Sequence, residues 1–551
     1  MRIRNLIIVI ACVVLANVLA HVWIVRLDMT DDKHYSLSEA TKTMLRNTNE
    51  PIEVTLYLQG DLNAGFRRLQ KATEETIEEM AVFGDIKIQR FDDSKTDVPE
   101  SMGLKPIVIH EREQNGKTAQ TTVYPYALVR YKGKRAPVAL LKNTRGLSGE
   151  ENLNASIENL EFAFAEAIHL LQQNETPRVA ILEGHGEPDE AHTYDLMTAL
   201  SRYYQVDRGS ITANGEGMKG ESINAHILDG YKAVLVLDPQ TAFSVQERFI
   251  LDQYIMRGGS VLWAINGVRF SEQVLQKEGF TPIIALDLGL TDMFFRYGVR
   301  INPALVQDVQ CLPIPVNVSS DPEQPNLQPM PWTYAPLLLT SQGSPITRNL
   351  GQVSSTFVSP IDAVGGEDGI EKRVLLATST ATRLTGTPGE VDLSDINPDL
   401  SQFQYQYVPV AVSLEGEFQS VFAHRMVPEG VSGCEGIVKQ GKKTRQVVIA
   451  CGSIADNEVQ QGQALPMGYD RYSGMQFSNR DVIVNAILWL TDADGLISLR
   501  EKSVALRLLN DKRAHDERLK VQMVSTISPI AILALIGGMI IVIRRRKYQR
   551  I

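Results

Sequence analysis

The chain has 551 residues, of which 44% are hydrophobic and 22% charged, with a formal net charge of −10. Domains of ~100–200 residues make three or four folded units the expectation, and the acidic balance lacks the basic stripe that would replace counterions on phosphate, which excludes nucleic-acid binding. The four cysteines (Cys12, Cys311, Cys434 and Cys451) form no C-x-x-C pair and have no histidines at zinc spacing. A disulfide framework is therefore excluded, and a single Cys434–Cys451 bridge is left open.

Residues 5–25, NLIIVIACVVLANVLAHVWIV, are predominantly apolar and carry no charged lysine, arginine, aspartate or glutamate. At ~1.5 Å per residue they make about 30 Å of helix, the thickness of a bilayer core. A cleaved signal peptide competes, because Val18 and Ala20 could precede a cleavage site. The run continues through Val22, Trp23, Ile24 and Val25, as an uncleaved anchor would. Within it Asn17 and His21 are one helical turn apart, with Ala16 and Ala20 beside them. Polar and small residues on one face suit contact with a partner helix, the alternative being that the polar pair snorkels to the outer headgroups.

Residues 27–149 read as a small α/β module. Strand IEVTLYLQ, amphipathic helix AGFRRLQKATEETIEEMAVF and strand DIKIQRF come first, and strands KPIVIH, TVYPYALVRYKG and APVALLK follow. This β-α-β order followed by strands suggests a thioredoxin-like topology, without the C-x-x-C of redox chemistry. Residues 150–176 read as one connecting helix stopped by Asn174 and Pro177.

Residues 177–499 read as a second α/β domain, and its part 178–270 repeats a strand-then-helix rhythm: RVAILEG, HTYDLMTALSRYY, YKAVLVLDPQ, SVQERFILDQYIMRGG and SVLWAING. Continuous apolar strands alternating with helices point to a flavodoxin-like or amidotransferase-like parallel sheet, covered on both faces. Strands FVSPIDAV, KRVLLATS, VPVAVSLEG, SVFAHR and RQVVIACGS and helix DVIVNAILWLTD complete it. Eight prolines between 313 and 345 mark residues 311–345 as an irregular insertion. Residues 500–526 read as a helical stalk. Residues 527–543 form a second transmembrane helix with Pro529 in its first turn, and 544–551 a basic tail.

Arg2 and Arg4 precede the first span, and Arg544, Arg545, Arg546 and Lys547 follow the second. By the positive-inside rule both termini are cytoplasmic and the bulk of the chain is periplasmic, although Lys512, Arg513, Arg518 and Lys520 lie on the other side of the second span.

Candidate chemistry gathers at the carboxyl ends of the strands, where open α/β sheets bind ligands. Glu183-Gly184-His185-Gly186-Glu187 follows RVAIL, and His185, Glu187, Asp189 and His192 offer metal-type groups, although the H-x₆-H spacing is no zinc signature. The plainer reading is a glycine-permitted turn whose histidine bonds a neighbouring loop. Asn266 follows SVLWAI, where amidotransferase-like folds place a nucleophilic cysteine, and an amide cannot attack as a thiolate would. There is no G-x-S-x-G elbow, Walker motif or dehydrogenase glycine pattern. Catalytic, cofactor and metal sites are therefore not expected. His185, Glu187, Asn266 and Asp456 define a possible ligand or partner cleft. Ala16, Asn17, Ala20, His21, Trp332 and Tyr334 are possible partner contacts, the last two also able to pin their loop to its own domain.

Six segments carry a resemblance: RLDMTDDKHYSLSEATKTML, ILEGHGE, LDQYIMRGGSVLWAING, PWTYAPL, VPVAVSLEGEFQSVFAHR and NRDVIVNAILWLTDADGLISLREK. Their order and spacing resemble the GldG-type auxiliary subunits of ABC transporters. The resemblance implies a non-enzymatic inner-membrane subunit beside a multispanning permease and a separate cytoplasmic ATPase, serving gliding motility and associated secretion. It carries over no catalytic residues and identifies no substrate. Two alternatives stay open: a periplasmic solute- or glycan-binding module at His185 and Asn266, and a hydrolase built on His185, Glu187 and Asp456.

Overall fold

The structure, a computed structural model, describes residues 37–60, 62–91, 104–112, 118–142, 149–173, 175–212, 223–317, 327–366, 369–393, 399–492, 497 and 518–548. The first span, with Ala16, Asn17, Ala20 and His21, lies outside the described residues.

Helix α1 (Glu39–Arg46) starts at Ser38, whose Oγ accepts from Thr41 N at 3.1 Å. Strand β1 (Ile52–Leu56), helix α2 (Ala64–Ala81) and strand β2 (Ile86–Arg90) form a β-α-β unit with parallel strands. Strands β3 (Tyr126–Tyr131) and β4 (Lys134–Ala139) add antiparallel, giving the order β2-β1-β3-β4. Ile52, Val54 and Leu56 alternate inward from β1 to meet Leu69, Ile77 and Met80 of α2. The stretch expected as one strand through Pro125 is two: β3, and Thr118–Val123, which pairs with Ile107–Arg112.

The single connecting helix is instead α3 (Gly149–Glu158) and α4 (Leu160–Gln172), broken at Asn159. Leu160, Phe164, Ala167, Ile168 and Leu171 of α4 fall at i, i+4, i+7, i+8 and i+11 and enter the same core as β1. Helix α4 is thus a packed layer of the first module.

The large sheet is built from β5 (Arg178–Leu182), β6 (Gln205–Gly209), β7 (Ala233–Leu237), β8 (Ser260–Ala264), β9 (Cys311–Asn317), β10 (Leu327–Thr340), β11 (Glu371–Ala377), β12 (Pro409–Gln419) and β13 (Gln440–Ile449). Their order is β9-β10-β11-β12-β13-β8-β7-β5-β6. Helices α5 (Tyr194–Leu200), α6 (Val245–Met256) and α7 (Asn479–Thr491) pack on it. Alternate residues feed opposite cores: Leu235, Leu262 and Val447 go to one face, Val234, Trp263 and Val448 to the other. That two-sided burial is why these strands read as unbroken apolar runs.

Only the run β6-β5-β7-β8-β13 is parallel; β12, β11, β10 and β9 add antiparallel. The expected all-parallel sheet is therefore mixed. Apolar content reports burial on two faces and is silent on strand direction.

The irregular insertion is also corrected, because most of residues 311–345 is the hairpin β9–β10. Pro313 faces Pro331 and Pro315 faces Pro329. Opposed prolines cannot exchange N–H bonds, so they occupy the non-hydrogen-bonded pairs, and the ladder runs through Ile314–Met330 and Val316–Gln328. Residues 420–425, expected as a strand, form a turn. There Ser420 Oγ and Val421 N donate to the fully buried Asp252 of α6, at 2.6 and 3.0 Å, and end β12.

The carboxyl-terminal helix α8 (Arg518–Tyr548) forms a separate compact unit. It begins within the expected stalk, so Pro529 lies inside the helix and not in its first turn. Its segment Ser525–Arg546 is long and apolar enough to cross a membrane.

Candidate functional site at the carboxyl edge of the sheet

Three strand ends and two glycine-permitted loops converge here. After β5 the chain turns at Gly184 and Gly186, whose φ values of +114° and +86° suit glycine. A Cβ at Gly184 would come within 2.9 Å of Ser210 Oγ. Between these glycines His185 is driven inward and is 4% exposed. Its carbonyl accepts from Gln240 N and Thr241 N at 2.7 and 3.0 Å, fastening this loop to the one after β7.

The His185 ring stacks on Phe243, centroids 3.9 Å apart. Its Nε2 lies 3.3 Å from Glu247 Oε2, and its Nδ1 lies 3.4 Å from Glu187 Oε1. Burial opposes a charge on the imidazole, but the two carboxylates outweigh it and push its pKa up to about 9. Burial likewise opposes ionisation of Glu247, yet His185 and the Ser244 cap hold it down at about 2. His185 is a buried imidazolium set between two acids, and what bonds the neighbouring loop is its main-chain carbonyl, not its ring. Arg208 braces the loop from outside, donating to Glu183 Oε1 at 2.6 Å, to the Pro188 carbonyl at 2.7 Å and to Thr193 Oγ1.

Asn266 is not the residue at a strained turn. That residue is Asp238, directly after β7, with φ +47°. Asn266 bridges two loops: its Nδ2 donates to Asp238 Oδ1 at 2.7 Å, and its Oδ1 accepts from Gly452 N at 2.9 Å. Gly452 after β13 must be glycine, since a Cβ would fall 1.9 Å from Asp238 Oδ1. Burial first, then the charges of Glu272 and Glu187, raise Asp238 to about 7. Asp456, four residues beyond Gly452, is raised well above the carboxylate range by burial and by Asp238. Its Oδ1 is buried and accepts no hydrogen bond.

The structure thus brings His185, Glu187, Asn266 and Asp456 to one edge. His192 turns aside: its ring bonds Asp189 Oδ1 at 2.7 Å on the surface. No cluster of three metal-type side chains forms among the described residues. Sequence reasoning passed over Asp238, Glu247 and Arg208. Glu247 was legible as the fourth position of a Ser244-x-x-Glu capping box, while Asp238 and Arg208 carry no local signal.

Trp332 and Tyr334 are 5% and 3% exposed, in a cluster with Leu305, Phe357 and Val391. They pin the hairpin to its own domain and present no surface to a partner. Cys434 and Cys451 are both free. Burial pushes the Cys451 thiol up to about 12, so it is structural.

A family model described as an ABC-type uncharacterized transport system matches residues 176–486, more than half of the chain, and spans this whole edge. The chain belongs to that family. It is therefore an auxiliary protein associated with ABC transport. A second model, a domain of unknown function, matches residues 31–130. An uncharacterized protein of Borreliella burgdorferi is 23% identical over 296 residues, 52% of each chain, so this chain spans about half the length of that curated relative. Two solved structures share 14% and 10% identity. The mmIFT52 N-terminal domain has a TM-score of 0.32, covering 57% of this chain and 98% of its own. A ThuA-like protein from Parabacteroides merdae has a TM-score of 0.29, covering 61% and 94%.

Proposed function

We propose that the chain is a non-enzymatic auxiliary subunit of an ABC transporter complex, anchored in the inner membrane at both ends, with its thioredoxin-like and amidotransferase-like modules in the periplasm. Its partners are a multispanning permease and a cytoplasmic ATPase. The GldG-type resemblance makes gliding motility and associated secretion the setting.

What supports the two-ended anchoring is where the described part of the larger unit begins and ends. At its start, Leu37 N and Ser38 N donate to Glu79 and to Glu161 at the first turn of α4. At its end, Ile497 lines a groove of about 360 Å³ with Phe162, Glu166 and Leu170 of the same helix. At ~1.5 Å per residue the entry and exit points lie within about 14 Å along α4. A fold tethered twice to one membrane needs both attachments on one face. This face is also the amino-terminal edge of the large sheet, where Lys232 precedes β7, so the His185 edge points the opposite way.

Support for the non-enzymatic reading comes from how the candidate residues are spent. His185 is clamped by two acids and Asn266 by two loops, which leaves neither poised as a base or a nucleophile. Gentle detergent extraction tests the assignment: a permease and an ATPase should copurify with the full chain. A chain recovered alone under conditions that keep other transporters intact would refute it.

A further inference from the structure

The strand Phe280–Ala285 turns apolar side chains towards solvent. It runs antiparallel between Val268–Arg269 and Gly389–Asp392 in a small three-stranded sheet. Leu393 N donates to the Gly279 carbonyl and Leu286 N to the Gly267 carbonyl, so odd positions bond one neighbour and even positions the other. Thr281 and Ile283 point inward and are 1% and 0% exposed, with Ile283 in the cluster around Trp332. Phe280, Pro282 and Ile284 therefore share the outer face, where Phe280 and Ile284 are 43% and 51% exposed. The solvated face of an antiparallel sheet is ordinarily polar, and an apolar row rimmed by charge is the pattern of a contact surface.

The rim is charged, and its two sides differ in sign. Residues directly opposite across a ladder share a face. Asp392 and Glu390 thus flank the row beside Phe280 and Pro282, and Arg269 flanks it on the other side beside Ile284. Arg269 and Glu390 are exposed and make no ion pair among the described residues. Arg269 gives one N–H to the Gln240 carbonyl at 2.8 Å, which leaves other donors of its guanidinium available. Across its width the face reads acid, apolar, base. The acids suit it poorly to an anionic lipid surface. Its own copy fits: a half-turn about an axis along the apolar row lays the row on itself and carries the acid side of each copy over Arg269 of the other. Arg269 and Glu390 are then offset by two residues along the strand, ~7 Å, which two long side chains can bridge. A twofold axis running across the strands would instead lay acid on acid.

We propose that this face is a self-association surface on which a second copy of this chain docks about a twofold axis along Phe280, Pro282 and Ile284. The three apolar residues meet their counterparts, and Arg269 of each copy pairs with Glu390 of the other. Such a contact is isologous, so one patch completes both halves of the interface. The apolar row covers only part of the ~800 Å² per partner that a standard interface buries, so the dimer is a reversible one. The contact goes beyond the auxiliary role and does not depend on it.

The test is the mass of the detergent-solubilised full chain, measured by light scattering over a concentration series. The expected result is a dimer with a Kd of about 1–100 µM. Ile284→Asp, Arg269→Glu and Glu390→Arg should each weaken it by at least about tenfold, because every change enters a twofold interface twice. All three sit on the solvent face, so the variants should fold. An equimolar mixture of the Arg269→Glu and Glu390→Arg chains should associate to within about threefold of the parent, because acid then meets base at both contacts. Mixing repairs a contact between copies and cannot repair damage within one chain. The proposal is overturned if the parent stays monomeric, which gives the face to a different subunit. It is also overturned if the variants dimerise like the parent, which moves the contact elsewhere on the chain, or if the mixture associates no better than either variant alone.

Discussion

Removing the His185 side chain separates a structural histidine from a catalytic one. The single charge of the imidazolium is shared by Glu187 and Glu247, whose side chains are 2% and 6% exposed. Its pKa rises from 6.5 to about 9, which at about 1.4 kcal/mol per pH unit corresponds to about 3 kcal/mol of native-state stabilisation. Because the folded value is the higher one, this contribution is complete below about pH 6.5 and disappears as pH rises through 9. Glu247 sets the acid side: its value falls from 4.5 to about 2, so its share is complete above 4.5 and is lost as pH falls through 2. Both describe one ion pair and are not summed. His185→Ala should therefore cost ~3–5 kcal/mol on a plateau between about pH 4.5 and 6.5, since two buried carboxylates lose their partner. The deficit should shrink above pH 9. Urea denaturation of the full chain at pH 6, 8 and 10, followed by the emission of buried Trp263, measures it. A deficit constant from pH 6 to 10 would refute the ion-pair account. At neutral pH the molecules that remain folded should assemble and function within a few-fold of the parent. A loss of orders of magnitude with the fold intact would revive the metal or hydrolase reading.

For topology, a reporter active only in the cytoplasm should work after Ile551 and be silent within residues 386–397; activity at the internal site reverses the orientation. In the first span, replacing Ala16 and Ala20 together with leucine should reduce copurification with the permease, while the same change at Val14 and Val18 is tolerated. Equal behaviour of the two pairs makes that span a plain anchor, and single polar contacts there are worth only ~0.6–2 kcal/mol. Trp332→Ala should cost ~3–5 kcal/mol through the cavity it leaves beside Phe357, measurable by denaturation. Copurification per folded molecule should not change, and a selective loss of partner would return Trp332 to the surface role.

Local pattern was enough to place elements wherever burial imposes a period. The β-α-β unit of β1, α2 and β2 was legible from alternation in Ile52, Val54 and Leu56 and from helical spacing in α2. The strands β5, β7, β8 and β13 were legible as apolar runs, and the glycines of the 183–187 loop announced a turn at the sheet edge. The same patterns could not tell which way a strand runs, so the parallel sheet had to be corrected to a mixed one. The prolines of β9 and β10 hid a hairpin, because proline is compatible with a ladder only when its partner places it in a non-hydrogen-bonded pair, and that partner is about sixteen residues away.

The sequence by itself determined that this chain would carry α/β layers, apolar end segments and no recognisable nucleotide or nucleophile motif. Each of these follows from composition, period or the spacing of a few residues. Tertiary structure alone decided what the site residues do. His185 acquires its charge from Glu247, 62 positions away, and Asp238 its strained turn and its neighbours from loops after three different strands. Electrostatics falls off with distance in space and not along the chain, so a lone histidine and a lone aspartate look alike in any sequence until folding sets their neighbours.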